Sequence, residues 1–183
     1  TIESARSYVE VVNTIYDAKL LPVVPRLSAE LDKEYILKAD KSFATPASVT
    51  VGVDETNTDD KVIALIDKVP SDGFGEYELE LSSGMYIPED NKKVKYKLDI
   101  VKKAVAQLEL TVQAQNVQSG LTAKINNKLI AQVWGEEGKI TTDNVKAYVD
   151  VSGLGAGTYN LPVKIEGENV NFAENYTIEV TVE

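Results

Sequence analysis

Apolar residues recur at every second position along most of this chain. Ala47–Asp54 (ASVTVGVD) places Val49, Val51 and Val53 on one side. Lys93–Ile100 (KVKYKLDI) sets Val94, Tyr96, Leu98 and Ile100 against Lys and Asp. Leu108–Gln115 (LELTVQAQ) and Tyr176–Glu183 (YTIEVTVE, with Ile178, Val180 and Val182) follow the same rule. A period of two sends alternate side chains to opposite faces of a pleated strand, so each run predicts a strand buried on one face. Clusters of Gly, Asn, Asp and Pro divide the runs at the intervals of an all-β domain. The start of the chain reads two ways. Ile2, Ala5, Val9, Val12 and Tyr16 are spaced as on a helix with Thr1 as its cap, yet the abundance of Val, Ile, Tyr and Thr suits a strand.

The alternation repeats itself. Lys61–Leu81 lies over Asn144–Val163 with Val62 on Val145, Ala64 on Ala147, Ile66 on Val149 and Asp67 on Asp150. After a one-residue slip, Gly75 falls on Gly157, Tyr77 on Tyr159 and Leu79 on Leu161. Val49, Val51 and Val53 fall on Leu129, Ala131 and Val133, while Val94, Tyr96 and Leu98 fall on Ile178, Val180 and Val182. The pattern predicts two tandem small β-domains, homologous repeats over residues 18–103 and 104–183. Residues 1–17 are expected to be an entry segment or the last strand of a preceding repeat, with Val9 matching Tyr96 and Val11 matching Leu98. The join, Val101–Gln107, lacks Gly, Pro and Ser and reads as a semi-rigid link. A fragment from Leu108 to Glu183 is then expected to fold by itself.

Composition removes several chemistries. The 183 residues include no Cys and no His, which excludes disulfides, thiolate or imidazole zinc sites and His-based triads. The net charge of −10 opposes binding to nucleic acid, whose phosphates call for a basic patch. It also opposes docking on an anionic membrane surface. No apolar run reaches the ~18 residues of a membrane helix. The first residue is Thr1, not Met, which predicts a chain trimmed from a longer parent.

The richest local signal is Ala147–Gly167, AYVDVSGLGAGTYNLPVKIEG. A phosphate loop would have its glycines open a helix, commonly with a Lys. Here they lead into an alternating strand, and the matching stretch Asp67–Leu81 (DKVPSDGFGEYELEL) keeps only the Asp, one Gly and the Tyr. The shared residues therefore read as a structural turn. Gly75 and Gly157 are expected to supply a positive φ, Tyr77 and Tyr159 a buried ring with a bonded hydroxyl, and Asp67 and Asp150 acceptors for loop amides.

Other polar groups are weaker candidates. Asp54, Glu55, Asp59 and Asp60 crowd one loop without the spacing of an EF-hand and read as a solvated acidic loop. Glu136 and Glu137 are sequence neighbours that point apart on a strand, unlike a glycosidase pair. Ser152 has no His to activate it, and Asn175-Tyr176-Thr177 reads as a chance sequon. No catalytic, cofactor-binding or metal residue is assigned, and no cofactor is expected. Trp134, the one Trp, reads as a core or domain-contact residue, with an exposed ring for a sugar as the other reading.

These same stretches carry a family resemblance. Val145–Gly167 and Tyr176–Glu183 resemble the end of a YbbR-like domain, with its Val-Asp-x-Ser-Gly-Leu, Gly-Thr-Tyr and Leu-Pro-Val. Tyr35–Asp54 resembles the earlier part of such a unit through Thr45-Pro46 and Val49-Thr50-Val51, and Leu20–Leu27 resembles its opening strand. The first unit lacks the Ser-Gly-Leu signature. The resemblance implies tandem β-domains outside the bacterial membrane, behind a membrane anchor in the parent protein. It implies a protein partner, the membrane diadenylate cyclase that makes cyclic di-AMP, and carries over no catalytic residues. A cell-surface module for glycan or cell-wall material and a plain structural spacer are the alternatives.

Overall fold

The computed structural model describes residues 15–183. Both readings of the first residues, and the matches proposed for Val9 and Val11, lie outside the described residues. The chain is nearly all-β. It divides into two compact units, one holding the chain up to Ser28 together with Ala39–Asp99, the other Ala29–Lys38 together with Ile100–Glu183.

The first unit is organised by β1 (Asp17–Leu27). Its first half pairs antiparallel with β4 (Ser48–Val53), Leu21 opposite Val49. Its second half pairs parallel with β5 (Val62–Ile66), Val23 opposite Val62. The short β7 (Met85–Tyr86) extends β4 on its other side. A second sheet sets β8 (Lys93–Lys97) between β3 (Phe43–Thr45) and β6 (Phe74–Glu78). The alternation read from the sequence points inward: Val49, Val51, Val53, Val62, Ala64, Ile66, Tyr77, Val94 and Tyr96 are all buried.

The second unit repeats this wiring. Its long strand β9 (Ile100–Leu110) pairs antiparallel with β12 (Leu129–Glu136), Leu110 opposite Leu129. One residue later the chain resumes as β10 (Val112–Gln115), parallel to β13 (Lys146–Asp150). There β15 (Lys164–Glu166) covers the far side of β13, and β16 (Asn171–Phe172) extends β12. The other sheet sets β17 (Thr177–Val182) between β11 (Ala123–Lys124) and β14 (Gly157–Pro162). Leu110, Val112, Ala131, Val133, Ala147, Val149, Ile178, Val180 and Val182 form its core.

Two details depart from the sequence reading. Gly75 faces Tyr96 and Gly157 faces Val182, so Val94 corresponds to Val180, two residues from the alignment drawn above. A two-residue slip returns every side chain to its own face, so alternation cannot detect it. The supposed link Val101–Gln107 is a stretch of β9, with Lys103–Gln107 bound to Glu136–Gln132 of β12.

The second unit also borrows chain from the first half of the sequence. The strap Ala29–Lys38 contains the one-turn helix α1 (Ala29–Asp32) and β2 (Tyr35–Leu37). β2 pairs antiparallel with Ile100–Lys102 at the start of β9. Ile36 is the only buried side chain of the strap, and burying it is worth about 1.5–3 kcal/mol. Lys38 reaches Glu136 at 3.1 Å, and the Lys103 ammonium donates to the Asp32 carbonyl.

This wiring predicts how fragments behave. Residues 108–183 alone leave the C-terminal half of β12 without its partner and should give poorly dispersed amide NMR spectra. Residues 100–183 restore the whole β9–β12 ladder and should disperse well. Equal dispersion from the two fragments would show that Ile100–Gln107 is dispensable.

Candidate functional site

The glycine-tyrosine turns were the strongest sequence signal, and the structure adds a second cause for their glycines. Gly75 lacks the expected positive φ, whereas Gly157 has it, at φ 157°, a backbone that side-chain-bearing residues rarely adopt. Each glycine lies beneath the ring of the tyrosine two residues later. A Cβ on Gly75 would stand 2.5–2.6 Å from the Tyr77 ring, and one on Gly157 3.2–3.3 Å from the Tyr159 ring. Residues i and i+2 share a strand face, so a tyrosine folding back needs a neighbour without a side chain. Tyr77 is buried and its hydroxyl donates to the Lys68 carbonyl at 2.8 Å. Tyr159 is half-buried and donates to the Gly155 carbonyl at 3.1 Å.

The aspartates part company. Asp150 accepts from the Ser152 N–H at 2.9 Å and from Asn116 Nδ2 at 3.0 Å. These bonds, that from Asn116 foremost, hold its carboxyl below the usual carboxylate range. Asp67 is exposed and closes no such turn; its charge adds to the burial that raises the Tyr77 hydroxyl. Expecting both aspartates to accept loop amides is therefore corrected for Asp67.

Sequence reasoning missed Tyr96. It stands opposite Gly75, is 2% exposed, and donates to the Val23 carbonyl at 3.2 Å. Burial pushes its hydroxyl up to about 12. Its place in an alternating run marked it as apolar, and nothing in that run signals the hydroxyl's partner on β1.

The acidic loop is a knot of internal bonds. Asp54 accepts from the Thr56 N–H at 2.8 Å and from its hydroxyl. Asn57 Nδ2 donates to Asp59 Oδ2 at 3.2 Å, Ser82 Oγ at 3.0 Å and the Ser83 carbonyl at 2.9 Å. The Ser82 hydroxyl, then Asn57, lowers the Asp59 carboxyl. Glu55 and Asp60 are exposed beside it. Among the described residues, no group of three or more His, Cys, Asp or Glu is placed to hold a metal ion.

The outer face of β9 and β12 gathers side chains that do not serve the core. Four cross-strand pairs line it: Ile130–Glu109, Gln132–Gln107, Trp134–Val105 and Glu136–Lys103. Ile130 and Val105 are each 60% exposed. Trp134 is half-buried here, not in the core, and the Lys103 ammonium covers its ring at 4.1 Å from the centroid. Glu136 is held by Lys38 at 3.1 Å and Lys139 at 3.3 Å, which depress its carboxyl, the Lys38 bond most. The Glu137 N–H donates to the Lys102 carbonyl. In the first unit the corresponding outer face shows Leu20, 69% exposed, and Tyr86, whose ring meets Tyr16 at 5.7 Å. Ser152 is bound into the Asp150 turn. Asn175 is exposed beside a cavity of about 720 Å³ lined by Tyr148, Phe172 and Tyr176.

No protein-family model matches the chain, and no curated protein matches it. The chain is similar to a solved structure. That structure is described as a YbbR-like protein from Streptococcus pneumoniae TIGR4. Sequence identity is 16%, the match covers 96% of this chain and 99% of that one, and the TM-score is 0.45.

Two predictions follow from the tyrosines. Gly75→Ala must displace a buried, hydrogen-bonded ring and should cost about 1–3 kcal/mol, or about 4–8 °C in Tm for each kcal/mol. Gly157→Ala meets a half-exposed ring that can swing aside, so its loss should come from the φ of 157° and persist in a Tyr159→Ala background, while the loss from Gly75→Ala should shrink in a Tyr77→Ala background. Thermal melts of these variants compare them, and an undiminished Gly75→Ala loss without the Tyr77 ring would discard the explanation. The second concerns alkali. A hydroxyl whose folded value is raised from 10 to about 12 favours the protonated folded state. Its stabilisation is whole below pH 10 and lost as pH rises through about 12. Tyr96→Phe should lose about 0.5–1.5 kcal/mol at neutral pH and flatten the stability profile across that window, as read by urea melts at several pH values.

Proposed function

We propose that this chain is a non-catalytic protein-contact module of the YbbR-like kind. In this reading it works outside the bacterial membrane in an anchored parent and regulates cyclic di-AMP synthesis by the membrane diadenylate cyclase. The motifs in Val145–Gly167 and Tyr35–Asp54 suggest the family. The observation that carries the mode of action is where the unspent side chains stand. The carboxylates that drew attention in sequence, Asp54, Asp59, Asp150 and Glu136, are bonded within their own turns and ion pairs. Among the polar side chains left outward on the organising sheets stand exposed apolar ones: Leu20 in one unit, Ile130 and Val105 in the other. Exposed apolar side chains rimmed by polar ones suit a protein partner.

A glycan module finds less support. Sugar rings stack on an open aromatic face, and one face of Trp134 already carries Lys103.

The test adds the chain to membranes carrying the diadenylate cyclase and measures cyclic di-AMP synthesis. The rate should change, and the double variant Leu20→Asp, Ile130→Asp should abolish the change while keeping the circular dichroism of the parent chain. An unaltered rate with the wild-type chain would reject the cyclase as partner. Saturable quenching of Trp134 emission by cell-wall oligosaccharides would favour the glycan reading instead.

A further inference from the structure

We infer that the aromatic cavity of the second unit, lined by Tyr148, Phe172 and Tyr176, is a binding site for a neutral oligosaccharide. The inference goes beyond the proposed function. It uses none of Leu20, Val105 and Ile130, does not depend on the cyclase, and leaves the protein-contact reading standing.

The cavity, of about 720 Å³, has the size of a small-molecule site. Three elements supply its rings. Tyr148 stands on the outer row of β13, between the buried Ala147 and Val149 and opposite Lys164 of β15. Phe172 ends β16, opposite Val133 of β12. Tyr176 precedes β17 and meets Phe172 edge-on, with ring centroids 5.1 Å apart. All three side chains are half-buried, so the fold holds each of them while leaving part of it to the cavity.

The polar groups beside these rings are unspent. In the acidic loop and at Asp150 such groups are taken up by their own turns. Here, among the described residues, the Tyr148 and Thr177 hydroxyls, the Asn175 amide and the Lys164 ammonium make no hydrogen bond or ion pair within the chain. Glu174 accepts from the Tyr176 hydroxyl at 2.8 Å and keeps further acceptor capacity. A pyranose matches this set. Its C–H groups pack on aromatic rings, and its hydroxyls both donate and accept. Charge decides between a sugar and an ion. Lys164 and Glu174 put one charge of each sign on the lining, so the pull on an anion and the pull on a cation offset each other.

The fold does not require the rings. Leu65, between Ala64 and Ile66, stands in the first unit where Tyr148 stands in the second. Met85, opposite Val53 as Phe172 is opposite Val133, takes the place of Phe172. Both keep apolar bulk and give up the aromatic face. The aromatic lining is thus particular to the second unit, as suits a ligand site more than a packing demand.

Cellotriose and chitotriose present the same β-linked pyranose rings, and the second adds acetamido groups. Titrated into the wild-type chain by calorimetry, at least one should bind saturably, and amide NMR shifts should move at Tyr148, Lys164 and Asn175–Thr177. Tyr148→Leu, the exchange the first unit already shows to fit these rows, should keep the circular dichroism and weaken binding about tenfold, the worth of one good aromatic contact. Tyr86→Leu, at an exposed tyrosine of the other unit, should leave the affinity unchanged. If Tyr148→Leu fails to fold, Asn175→Ala, at an exposed loop position, decides by a several-fold loss. No saturable binding of either sugar overturns the proposal. So does binding that Tyr148→Leu leaves at full strength, which would place the sugar elsewhere. Choline binding at these residues without sugar binding also overturns it, since that marks an aromatic cage for a cation.

Discussion

Each unit depends on a long strand that changes partners midway. β1 is antiparallel to β4 as far as Pro22 and parallel to β5 from Val23; β9 and β10 make the same exchange around Thr111. The exchange works because Leu21 and Val23, like Leu110 and Val112, are buried on the same side of the strand. One row of side chains thus feeds a single core while the hydrogen bonds pass from one neighbour to another. Losing the register there would turn the whole row outward, since a one-residue slip inverts the faces. The closing sheets around β8 and β17 then lie over that row, with Tyr96 reaching back to the Val23 carbonyl.

Much of this was legible. Alternation located β4, β8, β12 and β17 and named their inward residues, because a half-buried strand writes its orientation into every second position. The pairing of Gly75 with Tyr77 and Gly157 with Tyr159 was legible as a shared mark, and its cause in part. The expected positive φ holds at Gly157 and not at Gly75, and the ring-over-glycine contact common to both is a packing fact that alternation does not carry. The strap was illegible. Tyr35-Ile36-Leu37 is too short to show a period, and its partner Ile100–Lys102 lies more than sixty residues away. The join failed for a related reason: composition describes stiffness, and Val101–Gln107 is stiff because it is a strand.

The candidate sites were less legible than the fold, because the same residue types serve turns and chemistry alike. Asp54, Asp59 and Asp150 are charged and stand among polar neighbours, which in sequence resembles a site. In space their oxygens are taken up by Thr56, Asn57, Ser82, Asn116 and Ser152. Trp134 was half legible. Of the core and contact readings, its odd-even position removes the core and assigns it to the outer face with Ile130 and Gln132.

What the two units share is spent on wiring, so in the proposed reading recognition lies where they differ. At matched positions the first unit has Leu20, Pro22 and Asp54 where the second has Glu109, Thr111 and Trp134. The first unit's outer face thus carries Leu20 beside a strand broken by Pro22, and the second's carries Glu109 and Trp134 beside Ile130 and Val105. None of the six differing residues is buried. A fold whose buried rows are fixed by alternation leaves its outer rows free to vary. Two units built on the same rows can therefore present different surfaces, and a partner that binds one has no physical reason to bind the other.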